Sequence, residues 1–246
     1  MTGIAEFPRS SNSISKMVAR RQPLLERCRS LQEVLQMRLE HAIERGRLIA
    51  ILRGLRVEEA IDIAGVLVEA GISMIEVPLN SPDPFVSIER IATKFGDQAL
   101  IGAGTVLAKE DCDRIKSAGG QLVVSPNCNP VVIAHAKQMG MSVFPGVCTT
   151  TEAFKALDAG SDGLKLFPFQ ALGPSILKAW KAVLPIDTHL FPVGGVKVED
   201  MASLVTAGAT GFGIGSELYK AGMPSAEVKR RAETFAITGH RAALPE

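Results

Sequence analysis

The stretch DAGSDGLKLFP, residues 158–168, contains the pattern that decides the fold: a helical segment ends in a glycine, and an apolar run follows at once. A glycine just past a helix usually takes the left-handed conformation that ends it. The same pattern recurs at Gly71, Gly119, Gly140 and Gly208. Neighbouring instances are separated by one or two units of about 20 to 24 residues, the length of one strand plus one helix. The sequence therefore predicts a repeated β/α chain.

The same spacing places eight short apolar runs along the chain, and each is predicted to be a strand. They cover residues 48–52, 73–79, 99–103, 121–125, 142–146, 163–167, 189–193 and 211–214. Eight strands that alternate with helices through short connections predict an α/β protein with a (β/α)8 (TIM) barrel. A doubly wound open sheet is the alternative. It is disfavoured because no G-x-G-x-x-G motif follows the first strand, where LRGL (52–55) stands instead.

An N-terminal extension, residues 1–36, precedes the predicted barrel domain of residues 37–246. Its first part is rich in serine and arginine, which predicts disorder. The segment that follows predicts an amphipathic helix, which either caps the bottom of the barrel or extends along a neighbouring subunit. A translation start at Met37 is a further possibility. The apolar positions of this helix are Leu24, Cys28, Leu31, Leu35, Leu39 and Ile43.

Composition excludes several classes of protein. A formal net charge of +1 gives no overall basic footprint for nucleic acid, and no apolar run is long enough to span a membrane. The four cysteines show no C-x-x-C spacing and no secretory signal precedes them, so we expect reduced thiols in a cytoplasmic protein. Cys128 and Cys148 are expected to be small buried residues. The four histidines are scattered, and no metal site is predicted.

Two ionisable residues interrupt the apolar strands. In GLKLF, Leu164 and Leu166 share one face of the strand and Lys165 has the other; in SMIEVPL, Glu76 lies on the face opposite Ile75. The barrel interior is the face expected for both Lys165 and Glu76. Because both come from even-numbered strands, their side chains are expected in one interior layer.

The structural interpretation of Glu76 and Lys165 is an ion pair. Burying two charges costs several kcal/mol per ion, and apolar replacements are often no worse, so stability alone gives little reason for such a pair. We therefore favour a functional role. Burial lowers the pKa of a lysine, and the neutral amine attacks carbonyl groups to form a Schiff base. A nearby carboxylate supplies the proton transfers that this chemistry needs.

Glycine-rich turns follow the seventh and eighth predicted strands. They are PVGGVKVED (192–200), with Gly194 and Gly195, and GFGIGSELY (211–219), with Gly215 and Ser216. Barrels commonly hold a phosphate at these two loops, where backbone N–H groups approach the anion. Tight turns are the structural alternative. Arg53, at the end of the first strand, would add a guanidinium at the same mouth, or is a surface arginine.

A lysine imine provides an electron sink without a metal, so these features together indicate a metal-free aldolase. The segments IAILRG (49–54), EVPLNSP (76–82), IGAGTVL (101–107), LKLFP (164–168), VGGV (193–196) and GIGSELY (213–219) resemble the class I aldolases of 2-keto-3-deoxy-6-phospho sugar acids. The resemblance covers residues 48 to about 236 in order. It implies a (β/α)8 barrel, usually a homotrimer, which needs no cofactor and cleaves a phosphorylated keto sugar acid to pyruvate and glyceraldehyde 3-phosphate.

The resemblance also implies roles for individual residues. Lys165 matches the Schiff-base lysine and Glu76 the acid/base glutamate. Arg53 matches a substrate-contacting arginine, Thr105 a threonine near the substrate carboxylate, and Phe167 a side chain beside the imine. The residues implied to hold the 6-phosphate are Gly194, Gly195, Gly215 and Ser216.

Two positions bear on the choice of substrate within the family. Asn80 and Val193 stand where the gluconate-specific branch has an arginine and a threonine, and they resemble the galactonate-specific branch, in which the valine position bears on the C4 hydroxyl. Aldolases of the gluconate epimer or of 4-hydroxy-2-oxoglutarate are the close alternative. A phosphosugar isomerase or a non-catalytic phosphosugar-binding barrel, with an unreactive Lys165, is the distant one.

Overall fold

The computed structural model describes residue 33 and residues 36–242, in which parallel strands alternate with helices. We denote the helical residues 36–46 as α1. The strands are β1 (Leu48–Ile51), β2 (Met74–Pro78), β3 (Leu100–Gly104), β4 (Leu122–Val124), β5 (Ser142–Phe144), β6 (Gly146–Val147), β7 (Leu164–Leu166), β8 (Leu190–Pro192) and β9 (Phe212–Ile214). The helices are α2 (Ala60–Glu69), α3 (Pro84–Phe95), α4 (Lys109–Ser117), α5 (Pro130–Gln138), α6 (Thr150–Asp158), α7 (Phe169–Leu172), α8 (Ser175–Lys181), α9 (Met201–Thr206), which follows a 3₁₀ turn (Val198–Asp200), and α10 (Ser225–Ala242).

The strand order brings the end of the chain back to its beginning. One sheet has the order β5-β4-β3-β2-β1-β9, and a second has the order β6-β7-β8. β1 therefore lies between β2 and the last strand β9, unlike the order of a doubly wound sheet. A parallel bridge between Val193 and Gly213 joins the end of β8 to β9. The parallel strands thus curl in the manner of an α/β barrel, and the doubly wound alternative is wrong.

Pro145 divides the predicted fifth strand into β5 and β6. Proline has no N–H group to contribute to a ladder, which accounts for the break. The Pro145 carbonyl still accepts a hydrogen bond of 2.9 Å from the backbone N–H of Lys165 on β7. The break therefore leaves the neighbouring strand in place.

Side-chain alternation sorts the strand residues into two clusters. Ile75 and Val77 belong to the large cluster between strands and helices, whereas Met74 belongs to a smaller interior cluster with Ile49, Leu100, Leu122, Val124, Phe144 and Phe191. In that interior cluster the rings of Phe144 and Phe191 meet edge to face, with centroids 5.0 Å apart. The predicted facing of β2 is confirmed.

α1 closes the N-terminal end of the curled sheet. Its residues Leu39, Ala42 and Ile43 are buried in the interior cluster, and the Ser73 hydroxyl donates a hydrogen bond of 2.7 Å to the Ala42 carbonyl. Of the two predicted arrangements for the amphipathic helix, residues 36–46 adopt the cap. The predicted disorder and the positions Leu24, Cys28, Leu31 and Leu35 lie outside the described residues, and the domain boundary after residue 36 stays a prediction.

The three described cysteines differ in exposure. Cys148 is exposed and Cys128 is half-buried, so the expectation that both are buried is wrong, although Cys112 is buried. The exposure follows from their place in loops that leave the strand ends rather than in the strands.

Within the part of the chain that the structure covers, no helix combines the length and the apolar character needed to cross a bilayer.

Candidate active site

A cavity of about 170 Å³ opens at the carboxyl ends of the strands. Nine of the ten site residues predicted from the sequence line it, and they come from five different strand ends. Because parallel strands bring their carboxyl ends to one edge, residues far apart in sequence meet here. The nine residues are Arg53, Thr105, Lys165, Phe167, Val193, Gly194, Gly195, Gly215 and Ser216.

Lys165 reaches the cavity from the middle of β7. Leu164 and Leu166 are fully buried in the outer core, so the alternation of the strand directs Lys165 inward. Only 7% of Lys165 is exposed, and its Nζ lies 4.8 Å from the centroid of the Phe167 ring. Burial is the main cause that lowers the pKa of Lys165; the Glu76 charge opposes this effect and the Arg53 charge adds to it. The lower pKa increases the fraction of neutral, nucleophilic amine.

Glu76, the tenth predicted site residue, is not among the residues that line the cavity. It projects from β2, is 1% exposed, and its Oε2 has no hydrogen-bond partner among the described residues. Burial raises the pKa of this carboxyl to about 7, although the positive charges of Lys165 and Arg53 act to lower it. A carboxyl that titrates near neutral pH is suited to both accepting and donating protons.

Gly104 makes room for the Glu76 carboxyl. A Cβ atom at Gly104, the last residue of β3, would overlap the carboxyl group of Glu76. β3 pairs directly with β2, so the neighbouring strand supplies this space. Nothing in the sequence around Gly104 indicates this role, because it depends on the register between two strands.

Glu76 and Lys165 do not form an ion pair in direct contact. No nitrogen–oxygen distance of 4.0 Å or less joins these two described residues, although each charge shifts the pKa of the other. The two side chains share the interior as predicted, but they do not meet. A contact ion pair is therefore not what holds them there, and the Lys165 amine on the cavity wall is left open to a ligand.

The Gly194–Gly195 turn has a backbone that other residues rarely adopt. The φ angles are 104° at Gly194 and 75° at Gly195, both in the left-handed region. At Gly195 the side chain of Gln170 fills the space that a Cβ would need. The segment after β7 also fixes the turn, because the N–H of Phe169 donates to the Val193 carbonyl at 2.9 Å.

Arg53 is held at the mouth by the neighbouring loop. Its Nη1 donates a hydrogen bond of 2.7 Å to the Asn80 Oδ1, and the N–H of Gly54 donates one of 3.0 Å to the Ser81 Oγ. Although Arg53 is exposed, its hydrogen bond to Asn80 fixes the orientation of the guanidinium at the mouth of the cavity. Asn80, which the sequence flagged for its difference from the gluconate branch, thus has a direct contact with a cavity residue.

Thr105 is the strained residue of the cavity wall. Its φ angle is 58°, in the left-handed region where a β-branched side chain is a genuine outlier. Such strain costs on the order of 1–3 kcal/mol and is usually found at functional sites. The strain agrees with the functional role that the resemblance implies for Thr105, although the strain itself has no signature in the sequence.

The cavity wall also contains residues that the sequence did not single out. Pro126, Val196 and Glu217 are the principal ones. Pro126 comes directly after the predicted fourth strand, residues 121–125, and could have been found by inspecting every predicted strand end. No group of three or more His, Cys, Asp or Glu side chains in the described ranges is arranged to hold a metal ion.

Comparisons with known proteins show which family the chain resembles. The family model described as KDPG and KHG aldolase matches residues 39–233. The chain is 47% identical to the 2-dehydro-3-deoxy-6-phosphogalactonate aldolase of Escherichia coli (strain K12), over 80% of this chain and 96% of that protein. It is 50% identical to the probable 2-dehydro-3-deoxy-6-phosphogalactonate aldolase of Rhizobium meliloti (strain 1021), over 75% of this chain and 87% of that one.

A solved structure extends the agreement to three dimensions. The structure described as native KDPGal superposes with a TM-score of 0.78 at 47% identity, covering 79% of this chain and 95% of that one. Because the family model matches most of the chain and two relatives are 47% and 50% identical to it over most of their own lengths, the chain belongs to the KDPG and KHG aldolase family.

Proposed function

We propose that the chain is a class I aldolase in which Lys165 forms a Schiff base with 2-dehydro-3-deoxy-6-phospho-D-galactonate. The observation that carries the proposal is the buried Lys165 amine, which faces the cavity without an ion-pair contact to Glu76. Burial favours the neutral amine, which is the form that attacks a ketone.

The reaction begins when the Lys165 Nζ attacks the C2 carbonyl carbon of the substrate. Water leaves, with Glu76 moving the protons, and an iminium forms. Glu76, directly or through a water, then removes the proton of the C4 hydroxyl. The C3–C4 bond breaks, its electron pair passes into the iminium, and C4 becomes the aldehyde carbon of D-glyceraldehyde 3-phosphate. Protonation of the enamine at C3 and addition of water release pyruvate and restore the amine.

The remaining cavity residues bind the two ends of the substrate. Gly194, Gly195, Gly215 and Ser216 form the phosphate end, since backbone N–H groups in glycine turns accommodate an anion closely. Thr105 lies near the substrate carboxylate, and Arg53 contributes a guanidinium at the mouth. Phe167 packs beside the imine, 4.8 Å from the Lys165 Nζ.

The galactonate epimer is proposed as the substrate from Val193 and from the names of the two relatives. Val193 is 5% exposed and lines the cavity with an apolar side chain. Replacing Val193 by Thr should shift the ratio of kcat/KM for the galactonate and gluconate epimers toward gluconate, by about tenfold for one added hydrogen bond. Steady-state kinetics on both epimers check this. A wild-type enzyme that prefers the gluconate epimer would support the alternative substrate.

We further propose the assembly and the setting of the enzyme. β5 and β6 act as one strand, which makes the barrel eight-stranded. Leu107, Val131 and Phe154 expose apolar side chains on three consecutive β/α units, and these exposed side chains support a homotrimer. The described thiols, Cys112, Cys128 and Cys148, are free, as expected in the cytoplasm.

The experiment that tests the proposal is trapping with pyruvate and sodium borohydride, followed by mass spectrometry of the peptides. A reduced pyruvate adduct on Lys165 is expected. Lys165→Ala should abolish both the adduct and turnover, whereas Lys178→Ala, at an exposed lysine of α8, should change neither. An unmodified Lys165, under conditions that label a known class I aldolase, would overturn the Schiff-base assignment.

A further inference from the structure

Two loops on the cavity wall come from opposite ends of the chain. The loop after β1 carries Arg53, and the loop after β9 carries Gly215 and Ser216. β1 and β9 are paired parallel strands, so the two loops leave the sheet side by side. How these loops are fixed relative to each other decides the distance between the guanidinium and the proposed phosphate site.

One side-chain hydrogen bond joins these loops. The hydroxyl of Tyr219 donates to the Oε1 of Glu59 at 2.7 Å, across 160 residues of sequence. Among the side-chain hydrogen bonds of residues 36–242, no other connects the two loops. Tyr219 is the only tyrosine of the chain and is 2% exposed, so its ring is fixed by packing.

The bond is well suited to hold a fixed distance. Burial, followed by the Glu59 carboxylate, raises the pKa of Tyr219, so the phenol remains a donor. Although burial opposes it, hydrogen bonds from Tyr219 and Arg56 lower the pKa of Glu59, so the acceptor is charged. Charge-assisted hydrogen bonds are roughly twice as strong as neutral ones.

The contacts around the bond connect it to both parts of the wall. On one side, the Glu59 Oε1 also accepts from the backbone N–H of Arg56 at 3.1 Å. On the other side, the backbone N–H of Tyr219 itself donates to the carbonyl of Gly215 at 2.9 Å. A displacement of Tyr219 would therefore be felt by the backbone of both loops.

We propose that the Tyr219–Glu59 hydrogen bond positions the loop of Arg53 against the loop of Gly215 and Ser216, and so tunes the affinity for the phosphorylated substrate. The proposal rests on the proposed function, because it assumes that both loops contact one substrate. Tyr219 and Glu59 are positioning residues and do not line the cavity.

The test is Tyr219→Phe, which removes the hydroxyl and keeps the buried ring. The KM for the 6-phosphorylated substrate should rise about three- to tenfold, which is the effect expected from the loss of one hydrogen bond. The kcat should change by less than about twofold. Glu59→Gln keeps an acceptor oxygen and should retain a KM near that of the wild type. Glu59→Leu should resemble Tyr219→Phe.

The chain offers a matched control for this variant. Lys229 and Glu69 form a second polar contact between the α2 and α10 regions, at 2.9 Å, but on the exposed surface away from the cavity. Glu69→Gln should leave KM unchanged. Trapping of pyruvate by borohydride should proceed at the wild-type rate in Tyr219→Phe, because pyruvate lacks the phosphate end.

The outcomes separate the two proposals. If wild-type protein traps no pyruvate, the proposed function fails first. If the wild type traps pyruvate but Tyr219→Phe leaves KM unchanged, only the positioning role is overturned. A variant that loses pyruvate trapping together with affinity would also overturn it, because the effect would then be a general loss of structure.

Discussion

At the residue scale, the protonation of Glu76 controls both activity and stability. Burial raises the pKa of this carboxyl to about 7. Since the proposed mechanism needs the carboxylate as a base, kcat/KM should fall as the pH drops below about 7. Glu76→Gln should reduce turnover by a factor of about 10² to 10⁴ and remove this acid limb from the pH profile. A limb that persists unchanged in Glu76→Gln would assign it to another group.

The same pKa predicts how stability depends on pH. The folded pKa of Glu76, about 7, lies above its ordinary value of 4.5, so between these values the folded state binds the proton and the unfolded state does not. The contribution of Glu76 is therefore most favourable below pH 4.5 and is lost as the pH rises through 7. Glu76→Gln should increase the free energy of unfolding more at pH 8 than at pH 5. Denaturation at both values measures this, and an equal difference at the two would contradict it.

Replacing Thr105 by glycine should raise the stability of the protein and weaken substrate binding. Glycine adopts a φ of 58° without strain, so Thr105→Gly relieves about 1–3 kcal/mol and loses up to about 1 kcal/mol to the entropy of the unfolded chain. We expect a net gain of about 1 kcal/mol in stability, with a higher KM because the hydroxyl is gone. Thr105→Ser keeps the hydroxyl and serves as the control. A variant that loses stability would show that the conformation is not strained.

At the element scale, α1 packs across the N-terminal end of the curled sheet and closes its interior. Leu39 is buried in the interior cluster with Ala42 and Ile43. Leu39→Ala should lower the free energy of unfolding by about 2–4 kcal/mol, because the cavity left at the closed end cannot easily collapse. Met37→Ala, on the same helix at a residue 63% exposed, is the matched control and should cost little. A loss in Leu39→Ala no larger than the loss in Met37→Ala would contradict the packing role of Leu39, because alanine does not lower helix propensity in either variant.

At the scale of the whole molecule, the exposed apolar side chains of Leu107, Val131 and Phe154 bear on assembly. Light scattering after size exclusion should give a mass three times the 26.2 kDa of one chain. Val131→Lys should lower that mass, because a charge would be buried without a partner. Ile186→Lys changes an exposed apolar residue that is not one of these three, and it should leave the trimer intact. A wild-type protein that runs as a monomer would refute the assembly.

The sequence by itself determined the order of the elements and the identity of most cavity residues. Periodicity is a local property, so the alternation in β2 and β7 was enough to direct Glu76 and Lys165 inward, and the glycine turns were visible as motifs. The same reasoning placed Gly194 and Gly215 after neighbouring strands, at one edge of the sheet.

Only the tertiary structure decided which side chains of the site contact one another. The space that Gly104 leaves for Glu76, the absence of a contact ion pair with Lys165, and the Tyr219–Glu59 bond all depend on register and distance between strands far apart in sequence. The break at Pro145 and the burial of Leu39 inside the barrel likewise follow from pairing and closure. Local patterns fix which face a side chain takes, but closing the sheet sets which side chains come into contact, because non-local distances have no signature in a single sequence.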